Sequence, residues 1–194
     1  MAKLCHIPER MKRVDPKVYG CLFCVTGKEE AVVQQLKEAS ASVRAVVARR
    51  EKYLTTQGVK SKTAEVFLPS YVFFEAPKEV TTLEWIPRKN VHRILNYGDG
   101  AWQLCGSDLE FAKWLFRYDG YLAFSKAYQV GNKVHIFSGP LKELEGQIQK
   151  VDRRGKSARV VLQFFNMAVS AWLGYELIEP VQDAETAPNE GKPE

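Results

Sequence analysis

Two cysteines three residues apart, Cys21 and Cys24, are the pair in this chain with the most obvious chemistry, since a CxxC supplies either a redox dithiol or half of a zinc site. The surrounding residues argue against both. Val18 to Thr26 (VYGCLFCVT) is rich in strand formers, and side chains three apart on a strand point to opposite faces. No second CxxC follows, and the histidines His6, His92 and His135 are scattered. A Walker-A loop, a GxSxG elbow and clustered His/Asp/Glu at metal spacing are all missing. The expectation is a non-enzymatic protein with no cofactor and no metal.

Charge points to a partner. The chain of 194 residues has a formal net charge of +5, unevenly spread. From Val181 to Glu194 four acids (Asp183, Glu185, Glu190, Glu194) face one base, Lys192, so the body is more basic than the total. A basic body suits a polyanion. Two segments concentrate it. Arg44 to Lys62 holds six bases (Arg44, Arg49, Arg50, Lys52, Lys60, Lys62) against Glu51 alone, and Asp152 to Arg159 carries Arg153, Arg154, Lys156 and Arg159. No apolar run approaches the roughly 20 residues that span a bilayer. Met1 to Lys17 lacks the apolar stretch of a signal peptide. A cytoplasmic, monomeric protein without a membrane partner is expected.

The elements that must position these residues fall into two patterns. Strands are predicted over Val18–Thr26, Val43–Ala48, Thr63–Phe67, Tyr71–Ala76 and Val91–Asn96, with an amphipathic helix at Lys28–Ala39 and a short helix at Val80–Ile86. Ser107 and Glu110 have capping-box spacing and predict a further helix, striped by Phe111, Leu115 and Tyr118. This order predicts an α+β sandwich on a mostly antiparallel sheet. After Asp119-Gly120 the chain turns to short β-rich runs, Val134–Phe137, Gln147–Val151, Arg159–Phe165, Val169–Leu173 and Leu177–Ile178, which predict a small barrel. The expected division is a first domain over 18–118, a linker over 119–126, a second domain over 127–180 and a disordered acidic tail over 181–194.

The residues of the second domain carry a resemblance. VGNKVHIFSGPLKELEGQIQKVDRRGKSARVVLQFF from Val130, with Gly131, Gly139-Pro140 and Gly146 at turns, looks like a KOW motif. In the first domain Tyr19–Val25 is similar to the opening strand of NusG N-terminal (NGN) domains, and Phe67-Leu68-Pro69-Ser70-Tyr71-Val72-Phe73 resembles their FPxYV-type signature. Leu68 stands there for Phe, and Ser70 for a frequent Gly. The resemblance to the NusG family spans about Val18 to Glu179.

It implies a factor that binds RNA polymerase through an apolar surface drawn from Phe23, Phe67, Pro69, Tyr71 and Phe73. Thr81 and Thr82 would sit near the opposite side of the polymerase cleft. It also implies that Arg44 to Lys62 forms a hairpin arm which, through Arg49, Arg50 and Lys52, lies near upstream DNA or the polymerase cleft. The expected function is transcription elongation with processive antitermination. Family members place a Phe-Gly pair after the fourth barrel strand, where it contacts a ribosomal protein or Rho. Here the stretch is Gln163-Phe164-Phe165-Asn166-Met167, with Trp172 near a usual acidic position. Two readings stand: Phe164, Met167 and Trp172 are partly core residues, or they form a modified contact surface.

With these departures the chain most resembles the LoaP group of specialised paralogues, which is associated with an RNA hairpin. The resemblance then implies that Lys133, Lys142, Arg153, Arg154, Lys156 and Arg159 meet RNA phosphates; a solvated turn is the plain reading of the same bases. A housekeeping NusG coupling polymerase to Rho or the ribosome, and a KOW ribosomal protein, are the alternatives.

Overall fold

The computed structural model describes residues 16–79, 83–131 and 133–178. A four-stranded antiparallel sheet comes first, built from β1 (Lys17–Cys24), β2 (Arg44–Val47), β5 (Tyr71–Pro77) and β6 (Val91–Ile94) in the order β2-β5-β1-β6. Alternation on these strands separates two faces. Leu22, Cys24, Val72 and Phe74 face helix α1 (Glu29–Ala39), which lays Val32, Val33 and Leu36 on them. Tyr19, Cys21 and Phe73 face the other way, toward helix α2 (Gly106–Arg117) and its Phe111 and Leu115. Cys21 and Cys24 are therefore free thiols in different apolar layers. Burial pushes Cys21 well up, and burial with the nearby Glu29 carboxylate pushes Cys24 up to about 11. Both stay protonated and inert at neutral pH. Among the described residues no group of three or more His, Cys, Asp or Glu side chains is placed to hold a metal.

The basic arm is a regular hairpin, β3 (Arg49–Thr56) and β4 (Val59–Val66), where strand propensity predicts a strand only from Thr63. Its two-residue turn, Gln57-Gly58, takes positive φ at both positions (51° and 79°), the geometry that matches strand twist. Between the two halves of the chain β7 (Tyr121–Leu122) pairs with β3 in parallel, so two residues of the predicted linker form a third strand beside the arm, and its last two, Ser125 and Lys126, begin the next strand.

The second half forms a five-stranded sheet of β8 (Ser125–Val130), β9 (Lys133–Ser138), β10 (Ile148–Asp152), β11 (Ser157–Phe164) and β12 (Met167–Leu177) in the order β10-β11-β12-β8-β9. Pairing is antiparallel except between β12 and β8. The expected strand at Leu177–Ile178 is the end of β12, and the real extra strand is β8. β8 opens with Ser-Lys-Ala, a weak strand signature, and it is fixed by tertiary pairing with β12 and β9.

Two helix expectations need correction. Residues 83–86 are not helical, and 80–82 lie outside the described residues. The capping box does not form, because the helix starts two residues earlier than Ser107 as its N-cap would require. Cys105 is its N-cap and no side chain caps it, so Ser107 already falls within the first turn. The described residues contain no helix long and apolar enough to cross a membrane.

Candidate functional site

The signature residues converge on one face of the first sheet. Phe23 lies opposite Tyr71 across the β1–β5 pair, with ring centroids 5.5 Å apart. His92 packs 5.4 Å from Phe23 on the other side. Phe67 is half-buried against the same cluster, and Pro69 is exposed at the turn. Ser70 takes the left-handed φ of 72° that glycine adopts readily. Its amide donates to the Glu29 Oε1 at 2.8 Å, and its hydroxyl lies 2.6 Å from that of Thr26. Burial would raise Glu29, but the amides of Ser70, Glu29 and Gly27 and the Arg49 charge hold its carboxyl below the ordinary range. Thr81 and Thr82 lie outside the described residues.

Part of this face is covered: Phe73, expected on the partner-binding surface, is fully buried, while Phe23, Phe67 and Tyr71 stay half-buried. Phe164, at the end of β11, is fully buried against the first sheet and α2, with centroids 5.1 Å from Phe73, 5.3 Å from Phe111 and 6.0 Å from Tyr71. One apolar cluster thus contains residues of both halves. The turn that follows, Phe165-Asn166, has φ of 47° and 61°, a two-residue hairpin turn in which Asn166 takes a glycine-like backbone. Phe165 stacks on Tyr97 at 5.0 Å and 13°. Asp108 clamps the turn, its Oδ1 accepting the Phe165 amide and its Oδ2 the Tyr97 hydroxyl, each at 2.8 Å. Further along α2, Trp114 Nε1 donates to the Pro140 carbonyl at 3.3 Å, and Glu143 accepts from Arg117 and from the Tyr118 hydroxyl. Met167 is 43% exposed, and Trp172 is half-buried.

A second set of contacts runs from the arm. Arg50 Nη1 donates to the Trp172 carbonyl at 2.8 Å, while Tyr53 stacks on Phe124 at 4.6 Å. A Cβ at Gly174 would lie 1.7 Å from Phe124 Cε1, so only glycine lets this ring seat on β12. Glu176 pairs with Lys126 at 2.7 Å and with Lys62 at 2.6 Å, and these two ammonium groups hold its carboxyl down to about 2.

The predicted nucleic-acid residues divide by partnership. On the arm, Arg49 pairs with Glu30, and Arg50 and Lys52 share Glu65. On the second sheet Lys142 pairs with Glu145, and Arg159 donates to Gln149 at 2.9 Å. Lys133, Lys150, Arg154 and Lys156 have no carboxylate partner among the described residues. The β10–β11 turn that carries Arg153, Arg154 and Lys156 is fixed by Asp152, whose Oδ1 accepts the Gly155 amide at 2.9 Å. Strand register places this turn far from Phe164. Gly174 lies opposite Ser157 and Tyr175 opposite Ser125, so the β10–β11 and β8–β9 turns share one end of the sheet while Phe164-Phe165 occupies the other.

Sequence reasoning missed Asp108, Glu143, Glu176 and Phe124, because each acts across the two halves and none has a local pattern. The one available signal was the pair of adjacent phenylalanines ahead of a turn, too many rings for one small sheet to bury.

No protein-family model and no curated protein matches the chain. Among the solved structures that do match is NusG of Thermotoga maritima, described for its domain interaction, with a TM-score of 0.50 and 20% identity over 81% of this chain and 93% of that one. The likeness is one of fold: this chain has the mixed α+β architecture of NusG, mostly strands, with two helices among the described residues.

Proposed function

We propose that this chain is a NusG-type transcription elongation factor, an RNA polymerase-binding protein without catalytic activity that promotes processive antitermination in the manner of the LoaP group. The first sheet binds polymerase through Phe23, Phe67, Pro69, Tyr71 and Phe73, with Thr81 and Thr82 toward the far side of the cleft. The second sheet is a KOW barrel that contacts RNA through Lys133, Lys142, Arg153, Arg154, Lys156 and Arg159. The arm bases Arg49, Arg50 and Lys52 approach upstream DNA once their carboxylate partners let go. Antitermination needs no chemistry: a factor that binds only the closed clamp shifts the population toward it.

The observation that carries this reading is the burial of Phe164 on Phe73, Phe111 and Tyr71. An apolar face capped by a separate module, through Phe164, the Phe165–Tyr97 and Tyr53–Phe124 stacks and several polar clamps, suits a surface that is uncovered for a partner. Its cap leaves the basic end of the second sheet open, which suits RNA binding in the covered state. Antitermination is tested by transcription through a terminator downstream of a leader hairpin with purified polymerase. Read-through that rises with the protein and requires the hairpin supports the reading, and unchanged read-through counts against it.

Asn166 takes a left-handed φ of 61°, a backbone that a glycine adopts readily, which favours a housekeeping role with a ribosomal protein or Rho as partner. Capture of either by the purified chain, without hairpin dependence, supports that second reading.

A further inference from the structure

Strand β9 is an edge of the second sheet, and its outward positions read Lys133, His135, Phe137, alternating with the inward Val134 and Ile136. A strand rise of about 3.4 Å per residue spaces such positions roughly 7 Å apart. His135 stacks on Tyr128 of the paired strand, with centroids 5.2 Å apart and planes 16° from parallel. Phe137 is 46% exposed and Val130, opposite Lys133, 60% exposed. The Tyr128 ring covers one face of His135. Among the described strands none pairs with β9 on the side of His135 away from β8. Phe137 and the half-buried Tyr128–His135 stack offer flat apolar faces beside Lys133, which has no carboxylate partner among the described residues. The patch lies at the sheet end that also carries Arg154 and Lys156, which have no carboxylate partner among the described residues.

We propose that Tyr128, His135 and Phe137, with Lys133, form a stacking platform for unpaired RNA bases adjoining the duplex bound at the basic end. A nucleobase extends the Tyr128–His135 stack at the edge, the next one lies on Phe137, and Lys133, on the side of His135 away from Phe137, meets the phosphate that flanks the first base. Aromatic rings accept any base face, and a positive strand edge tracks the backbone. A protein partner would need complementary acidic and apolar groups, whereas a single strand supplies phosphates and flat apolar faces in one repeat. This deepens the RNA reading above and rests on it.

The test is fluorescence anisotropy on the full chain with four probes at one salt concentration. They are a blunt RNA hairpin, the same hairpin with a six-nucleotide single-stranded extension, that single strand alone, and its DNA counterpart. The extension is expected to strengthen binding about tenfold or more. His135→Ala with Phe137→Ala removes that increment and leaves the blunt hairpin unchanged, and Phe137→Trp retains it. Arg153→Ala with Arg154→Ala weakens both hairpins. An extension without effect on the unmodified chain, or an increment that survives the double substitution, overturns the platform while leaving the hairpin reading intact. A blunt hairpin that fails to bind, beside a single strand whose binding the double substitution abolishes, removes the hairpin reading and supports the platform. A DNA strand that binds as well as RNA overturns the assignment to RNA. Ultraviolet cross-links from uridines in the extension should map to 128–137 by mass spectrometry; cross-links confined to other segments contradict the proposal even if the variants misfold.

Discussion

The ring of Phe164 lies 5.1 Å from that of Phe73, centroid to centroid, and both side chains are fully buried although one belongs to the second sheet and the other to the first. Each ring excludes water from the other, so the contact is the apolar centre of the seam between the two halves. Removing a buried phenylalanine costs roughly 3 kcal/mol or more, about a hundredfold in a docking equilibrium. Phe164→Ala should therefore let the halves tumble independently, with distinct rotational correlation times in NMR relaxation. A single shared correlation time in the variant would mean that the polar clamps suffice.

Glu176 makes the docking sensitive to acid. Its carboxyl is held down to about 2 by Lys126 and Lys62, so the native charge pairing favours its ionised form. A depressed carboxyl stabilises the folded, docked form above its unperturbed range near 4.3 and loses that contribution as pH falls toward 2. Glu176→Gln should lower the thermal midpoint at pH 7, by an amount that shrinks below pH 4 and with added salt. A difference independent of pH would show that the carboxylate charge is irrelevant.

Gly174 permits the Phe124 ring to sit on β12, and a methyl there has no room. Gly174→Ala should destabilise the chain by about 1–3 kcal/mol in urea denaturation, through displacement of Phe124 and of Tyr53 stacked on it. An unchanged midpoint would imply that the linker relaxes freely.

The turn bases should report their pairing with phosphates through salt. Removing one neutralised phosphate reduces the slope of log affinity against log salt by a little under one. Arg153→Ala with Arg154→Ala should flatten the slope for hairpin RNA by between one and two and erase the preference over unstructured RNA of equal length. A slope equal to that of the unmodified chain would make the turn a solvated one.

Much of the first sheet was legible because alternation and helix periodicity are local: Leu22, Val72 and Phe74 face α1 and Cys21 and Phe73 face α2, as period-two strands require. The arm was legible as charge, and as a hairpin only through the family resemblance, since Lys and Glu give little strand signal and Gln57-Gly58 is a weak turn marker. The neutralisation of Arg49, Arg50 and Lys52 by Glu30 and Glu65 was invisible, because those acids lie 13 to 19 residues away along the chain. Phe164 was legible as apolar, and its two readings, core or contact, describe one situation: it completes a core that belongs to two halves. The clamps at Asp108 and Glu143 bridge 57 and 26 residues, and no pattern within either element announces them.

The central claim, a polymerase-binding aromatic face beneath a removable cap, is tested most directly by the affinity of core RNA polymerase for three full-length proteins. These are the unmodified chain, Phe164→Ala and Tyr71→Ala. Uncovering the face should strengthen binding about tenfold or more in Phe164→Ala, and removal of an aromatic anchor should weaken it by a similar factor in Tyr71→Ala. Equal affinities for all three, or no binding by any with the fold intact, would contradict the account.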